Sequence, residues 1–189
     1  MRSDVRPHAG FPPHRLDLSP NSRMPPQATV SLAAPVTLAD YTQPGLIVPR
    51  LRERDAAGII GELRQALQRE GFVPDLLPFY HAALNQELLA NSALECGLAF
   101  PHARLSGVKR LQFAFGRTPV PTIWGAKGSW PAQFIFLLAV PATDAASYLH
   151  LLASLAKLGQ QTELLAELRA ADNAEAILTV LEQVRMRQG

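Results

Sequence analysis

The 189-residue chain is 48% hydrophobic with a formal net charge of +2 at pH 7, and its scattered Lys and Arg residues argue against nucleic acid as the main ligand. Its single cysteine, Cys96, excludes an intramolecular disulfide, and the apolar run 134–140 is far shorter than the roughly 20 residues of a membrane-spanning helix. Since no apolar run near the N-terminus could serve as a secretory signal, we expect one domain in the cytoplasm.

The N-terminal quarter of the chain differs in composition from the rest. Residues 1–45 hold eight of the sixteen prolines and show no sustained helical or strand periodicity. We predict that residues 1–45 are a disordered Pro-rich tail and that residues 46–189 form the domain. Two other interpretations stay open, namely a Pro-rich ligand for a partner protein and a true start at Met24.

Two amphipathic helices are predicted after the tail. The first has apolar residues at helical spacing from residue 59 to residue 67, with Asp55 as its N-cap and Gly71 as its stop. The second begins after Asp75 and runs to about residue 90, with Pro78 in its first turn. Its predicted buried side consists of Leu84, Leu88 and Leu89.

Strands are predicted in the middle of the chain, with three helices after them. Residues 98–100, the alternating apolar positions 111, 113 and 115, and the run 134–140 are typical of strands, the last one central. Asp144, Thr162 and Asn173 are the predicted caps of the three helices. The first of these helices would bury Leu149, Leu152, Leu155 and Ala156. Strands between helices favour an α/β fold, with one mixed β-sheet sandwiched between helices.

His102 is the first candidate for chemistry. It follows Pro101, whose ring fixes its own φ and pushes Phe100 into an extended conformation, so the imidazole leaves the strand in a defined direction. A neutral imidazole with a fixed direction is a candidate nucleophile. The alternative is an ordinary polar residue at the end of a strand.

His150 and Arg104 are the candidate partners of His102. If the fold brings the two histidines together, His150 can hydrogen-bond a phosphoryl oxygen or orient His102; otherwise it is a histidine at the edge of an apolar stripe. Arg104 lies two residues after His102, so on a continuing strand both side chains share one face. A guanidinium there could neutralise a phosphoryl group, or it could be a solvated loop residue.

Two other kinds of site have little support. A zinc site is disfavoured because Cys96 and His102 do not have a common ligand spacing and the chain has no second cysteine. A serine hydrolase is disfavoured because no Gly-x-Ser-x-Gly motif surrounds Ser92, which fits better at a turn or cap. We therefore expect no metal and no cofactor.

Two features of the chain carry a family resemblance. Residues 97–102 read Gly-Leu-Ala-Phe-Pro-His and match a Gly-x-Ala-x-Pro-His motif, and an apolar strand ending at Pro141 precedes a His150-Leu151 pair in a leucine-rich helix. On these features the segment from Ile47 to Val184 resembles the type-2 enzyme IIA domain of the bacterial phosphoenolpyruvate-dependent phosphotransferase system (PTS). This is the fructose, mannitol and nitrogen-regulatory class.

The resemblance implies the architecture of the mannitol and fructose enzymes IIA, with a phosphoryl group carried on His102. The donor would be HPr or an HPr-like carrier, and the group would pass to an enzyme IIB or remain as a regulatory mark. The systems served would be sugar transport or nitrogen regulation. His150 would assist at the same pocket, and Ser92 keeps the hydroxyl of the family's usual Thr. The resemblance implies neither a metal nor a nucleotide.

Gln86 stands where the family has an arginine that is expected to face the phosphohistidine. A neutral amide lacks the charge-assisted hydrogen bonds of a guanidinium, and Arg104 would have to supply the positive charge. Two functions therefore stay open. One is a phosphocarrier, in which Ser92, Arg104 and Gln86 bind the phosphoryl group. The other is a regulatory binding module that docks onto a transporter, kinase or transcription factor without phosphotransfer.

Overall fold

The computed structural model describes residues 35–124 and 130–186. Along the chain its helices and strands are β1 (Ile47–Val48), α1 (Ala56–Arg69), α2 (Leu76–Leu89), β2 (Leu98–Ala99), β3 (His102–Leu105), β4 (Gln112–Ile123), β5 (Pro131–Pro141), α3 (Ala145–Leu158), α4 (Thr162–Ala170) and α5 (Ala174–Glu182). Two short 3-10 helices, Leu38–Tyr41 and Pro44–Leu46, precede β1. The predicted order of two helices, strands and three helices is confirmed.

The five strands form one mixed sheet. β4 and β5 are antiparallel, β1 pairs in parallel with β4, and β2 and β3 both pair in parallel with the other edge of β5. β5 is therefore the central strand, as its continuous apolar sequence predicts.

Alternate residues of the central strands enter two separate cores. Phe113 and Phe115 of β4 pack in the core that α3, α4 and α5 cover, whereas Ala114 packs in the opposite core, which α1 and α2 cover. β5 divides in the same way, and all its residues from Phe134 to Val140 are buried. The period of two along a strand sends successive side chains to opposite faces. The predicted α/β fold, a mixed sheet between helices, is confirmed.

Side-chain caps fix where most of the helices begin. Asp55, Asp75, Asp144 and Asn173 each accept a hydrogen bond from a backbone N–H in the first turn of the following helix. The prediction for Thr162 was wrong by one residue, because Thr162 is the first residue of α4 and Gln161 is its N-cap.

The buried face of α2 differs from the predicted one. The helix buries Phe79, Ala83 and Glu87, which recur every four residues, while Leu88 and Leu89 are 55% and 86% exposed. Of the three predicted leucines, Leu84 is half-buried and packs against the core. The predicted stripe lies about one residue, or roughly 100°, around the helix from the buried one. In α3 the predicted Leu155 is buried and Leu152 is partly buried against the core, but Leu149 is exposed. Leu151 and Leu158, which were not predicted, are buried as well.

The sequence predicts that the domain begins at residue 46. In the structure, residues before position 46 already pack against the domain. Leu38 is completely buried, and its N–H donates to the Val184 carbonyl at 3.0 Å. The N–H of Met186 donates to the Val36 carbonyl at 2.8 Å, so the segment from residue 36 pairs with the end of the domain. The rest of the predicted tail, residues 1–34, lies outside the described residues.

None of the helices in residues 35–124 and 130–186 is both long enough and apolar enough to span a lipid bilayer.

Candidate functional site

The residues Phe100 and Pro101 interrupt the strand that leads to His102. β2 and β3 pair with the same edge of β5, Leu98 opposite Phe134 and His102 opposite Leu138. Between them the Pro101 carbonyl accepts the Leu138 N–H at 2.9 Å, which holds the break against β5. Proline suits a break because it has no N–H to donate to a ladder. The backbone of the break is therefore anchored on both sides, and His102 begins β3.

The imidazole of His102 is half-buried, and its Nδ1 lies 3.4 Å from the Phe100 carbonyl oxygen. Burial lowers the pKa of His102 below its ordinary value of 6.5, while the Phe100 carbonyl and the Glu87 carboxylate act to raise it. The ring is therefore neutral at pH 7. An Nδ1–H directed at the Phe100 carbonyl leaves the lone pair of a neutral imidazole on Nε2. Nε2 is the atom free to act as a nucleophile.

A buried carboxylate organises the backbone around this break. Glu87 is 2% exposed, and its two oxygens accept the N–H of Ser92 at 2.9 Å and the Ser92 hydroxyl at 2.5 Å. The Ser92 hydroxyl oxygen in turn accepts the Phe100 N–H at 3.1 Å. The chain of hydrogen bonds from Glu87 through Ser92 ends on the N–H of Phe100, the residue whose carbonyl faces His102. Because the single O–H of Ser92 points to Glu87, this serine holds the His102 segment in place.

Tyr148 of α3 covers the His102 ring. The two ring centroids lie 5.3 Å apart with their planes tilted by 39°. Burial raises the pKa of the Tyr148 phenol, and the nearby positive charge of Arg104 acts to lower it. Ala103 packs in the core under α1 and α2, so His102 and Arg104 share the other face of β3, toward α3. His102, Arg104 and Tyr148 therefore form one cluster.

The predicted pairing of His102 with His150 is not a direct contact. In the described part of the chain, no hydrogen bond or ring contact joins the two imidazoles, and His150 is exposed on α3. Residues two apart on an α-helix point about 200° apart around its axis, so Tyr148 and His150 leave α3 in nearly opposite directions. Gln86 is half-buried on α2 next to Glu87, and no hydrogen bond of the described residues joins its side chain to His102.

Sequence reasoning missed Glu87 and Tyr148 as site residues. Each had a weak signal, since Glu87 places a carboxylate in the last turn of α2, where the helix dipole disfavours it. Tyr148 lies two residues before a histidine already under consideration. Glu87 and Tyr148 reach the site because of how α2 and α3 are rotated about their axes. The apolar pattern had predicted a different buried face for each of these helices.

Within residues 35–124 and 130–186, no group of three or more His, Cys, Asp or Glu side chains is arranged to hold a metal ion. Cys96 is a free, half-buried thiol.

A family model described as "Phosphoenolpyruvate-dependent sugar phosphotransferase system, EIIA 2" matches residues 40–184. The chain belongs to this family. The resemblance found in the sequence is confirmed, and so is the functional class, a PTS EIIA-like phosphocarrier or regulatory protein.

Relatives and solved structures agree with this assignment. The nitrogen regulatory protein of Bradyrhizobium diazoefficiens is 28% identical over 145 residues, which are 76% of this chain and 94% of that protein. The crystal structure of nitrogen regulatory protein IIA-Ntr from Neisseria meningitidis superposes with a TM-score of 0.65 at 26% identity, covering 76% of this chain and 98% of that one. The fold also matches a complex of enzyme IIA-Mtl and phosphorylated enzyme IIB-Mtl from Escherichia coli, with a TM-score of 0.63 at 16% identity over 74% of this chain and 95% of that one.

Some EIIA 2 relatives are much longer than this chain. The PTS fructose-specific EIIABC component of Bacillus subtilis is 27% identical over 135 residues, which are 70% of this chain and 21% of that protein. The EIIA 2 domain therefore also occurs as a minor part of larger proteins.

Proposed function

We propose that His102 accepts a phosphoryl group on Nε2 from HPr or an HPr-like carrier. The observation that carries the proposal is the half-buried imidazole whose Nδ1 faces the Phe100 carbonyl and whose pKa lies below 6.5. The Nε2 lone pair forms a bond to phosphorus while the P–N bond of the donor phosphohistidine breaks, and the electron pair of that bond returns to the donor ring. The Phe100 carbonyl and the Glu87 carboxylate stabilise the positive charge that develops on the His102 ring.

Arg104 is the proposed cation for the phosphoryl oxygens. It shares a strand face with His102, and its charge is close enough to Tyr148 to influence the phenol. A guanidinium can donate two parallel, charge-assisted hydrogen bonds to phosphate oxygens. The neutral amide of Gln86 cannot make this pair of bonds. Tyr148 would hold the imidazole plane, and Ser92 would position the His102 backbone. The exposed His150 would contact the docked phosphoryl donor or acceptor rather than the His102 ring.

The protein that receives the phosphoryl group from His102, or responds to it, would be an EIIB partner or a regulated target. The solved complex of enzyme IIA-Mtl with phosphorylated enzyme IIB-Mtl has the same fold on its IIA side, and the nitrogen regulatory relatives support a regulatory target instead. A reversible P–N bond serves both, because the imidazole of phosphohistidine is a good leaving group when that bond breaks.

The test is phosphorylation in a purified system. The protein is incubated with phosphoenolpyruvate, enzyme I and HPr of the same organism, and its intact mass is measured under alkaline conditions that preserve phosphohistidine. We expect a gain of about 80 Da, the mass of one phosphoryl group. The gain should be absent in His102→Ala and unchanged in His81→Ala, which removes an exposed histidine of α2. Phosphorylation of His102→Ala at the wild-type level would exclude the assignment.

A regulatory module without phosphotransfer is the second candidate function. The observations that favour it are the neutral Gln86 in place of an arginine and the Ser92 hydroxyl that already donates to Glu87. If charge limits the transfer, Gln86→Arg should increase the rate of phosphorylation. No phosphorylation of either protein, with HPr itself phosphorylated, would support the second candidate.

A further inference from the structure

Three arginines line a pocket beside β4, which pairs with the edge of β5 opposite to β3 and His102. It has a volume of about 240 Å³, and the residues that line it are Arg50, Arg117, Thr118, Pro119, Gln133 and Arg169. None of these described lining residues is acidic. A neighbouring pocket of about 620 Å³ also contains Arg50, but Glu53 and Glu62 contribute carboxylates there. The smaller pocket therefore concentrates positive charge without a carboxylate in its wall.

Two of the arginines are held in place by neutral groups. Arg117 is half-buried, and it donates from Nε to the Pro49 carbonyl at 3.2 Å and from Nη1 to the carbonyls of Leu168, at 2.9 Å, and Arg169. A guanidinium has five N–H donors, so the two on Nη2 stay available. The Leu168 and Arg169 carbonyls lie in the last turn of α4, where the helix dipole is negative and offsets part of the Arg117 charge. The three guanidinium groups together still leave the pocket with an excess of positive charge.

Arg169 and Gln133 form the second half of the pocket. The Arg169 Nε donates to Gln133 Oε1 at 3.3 Å, and its guanidinium lies over the Phe134 ring with its carbon 5.5 Å from the ring centroid. With its oxygen turned to Arg169, the Gln133 amide keeps its two N–H donors for the pocket. The pocket thus offers guanidinium and amide donors together, which is the donor set for a phosphate.

The backbone of β4 is irregular beside this pocket. The pairing of β4 with β5 shifts register between Arg117 and Thr122, where Pro119 and Pro121 interrupt the strand.

The pocket is separate from His102. Arg117 pairs with Phe134 of β5 and His102 pairs with Leu138, and four residues along a strand span about 13 Å.

We propose that this pocket binds a small phosphorylated metabolite that carries at least two negative charges, at a site separate from His102. The charge follows from three arginines around one space. The size follows from the volume, because 240 Å³ equals the share of about eight liquid water molecules at about 30 Å³ each. That space holds a pyrophosphate or a three-carbon phosphate ester.

The test is isothermal titration calorimetry of the full-length protein with pyrophosphate, at an ionic strength kept constant with sodium chloride. Glycerol 3-phosphate and inorganic phosphate in parallel titrations distinguish an ester from the free ion. We expect Arg50→Gln and Arg169→Gln each to weaken pyrophosphate binding about tenfold. Arg54→Gln, an exposed arginine before α1, is the matched control and should leave binding unchanged.

Two further results decide the location of the site. In nuclear magnetic resonance spectra, pyrophosphate should shift the Gln133 side-chain amide and the Thr118 backbone amide. His102→Ala should bind pyrophosphate as the wild type does, so this inference does not depend on the phosphocarrier proposal. Binding lost in His102→Ala, binding unchanged in both arginine variants, or no heat at millimolar pyrophosphate would each overturn it. Since Arg50 is exposed on a loop, its variant keeps the test valid if Arg169→Gln unfolds.

Discussion

At His102, opposing influences set the imidazole pKa, and burial is the largest of them. Burial lowers the pKa from 6.5, whereas the Phe100 carbonyl and the Glu87 carboxylate raise it. Because the folded state takes up the proton less readily than the unfolded state, folding stability falls as the pH drops through 6.5 toward the lowered value. Well above pH 6.5 the ring is neutral in both states, so it contributes no pH dependence there.

We predict that Glu87→Gln lowers the pKa of His102 further. Glu87 favours the imidazolium electrostatically, and the amide has a similar shape without the charge. The measurement is a titration of the His102 ring protons by nuclear magnetic resonance. Glu95→Gln removes an exposed carboxylate and serves as the control. A higher His102 pKa in Glu87→Gln would mean that Glu87 does not act on the ring through its charge.

The sequence puts His102 and Arg104 on one strand face if the strand continues past His102, and β3 does continue through both residues. The period of a strand does not depend on tertiary packing. It offered His150 as a partner of His102 on the condition that the fold brought the two together, and the ring contact of His102 is with Tyr148. Which residue of a helical turn faces a sheet depends on the rotation of that helix. A pattern with leucines at positions 149, 151, 152 and 155 fits more than one rotation.

Among the elements, the loop before β2 depends on one glycine. Gly97 has a φ of +87°, and an added Cβ would meet nothing closer than the Pro131 carbonyl oxygen at 4.0 Å. An alanine there would be strained by its backbone conformation rather than by contact. In α1, a Cβ on Gly61 would lie 3.9 Å from the Tyr80 ring, an ordinary contact.

We therefore predict opposite effects for two glycine-to-alanine changes. Gly97→Ala should lower the free energy of unfolding by about 1–2 kcal/mol, while Gly61→Ala should raise it by about 0.5–1 kcal/mol because alanine favours a helix. Urea denaturation followed by circular dichroism measures both values. If Gly97→Ala does not lower the midpoint, the assigned backbone conformation of Gly97 is wrong.

Element types and helix starts were predictable because they depend on local signals. Asp55, Asp144 and Asn173 precede apolar periodicity and cap the helices in the structure. The buried face of α2 was not predictable in this way, since the Leu88 and Leu89 side chains are more apolar than Glu87. Glu87 is buried because the N–H and hydroxyl of Ser92, five residues later, satisfy its oxygens.

For the molecule as a whole, the ends of the domain are tied together. Thr37 and Arg185 form an antiparallel bridge, and hydrogen bonds join Leu38 to Val184 and Met186 to Val36. Leu38 also packs in the core that α3, α4 and α5 cover. Composition alone assigned this segment to a tail, because prolines at positions 35 and 44 obscured its one deeply buried leucine.

We predict that a chain beginning at residue 46 is less stable than one beginning at residue 35. The shorter chain loses the buried Leu38 side chain and leaves a void against α5, which costs about 2–5 kcal/mol in free energy of unfolding. Urea denaturation of the two chains measures the difference. Leu38→Ala in the longer chain separates the side chain from the backbone pairing. If that variant accounts for most of the loss, burial rather than strand pairing ties the N-terminal segment to the domain, whereas equal midpoints of all three would show that residues 36–45 are dispensable for folding.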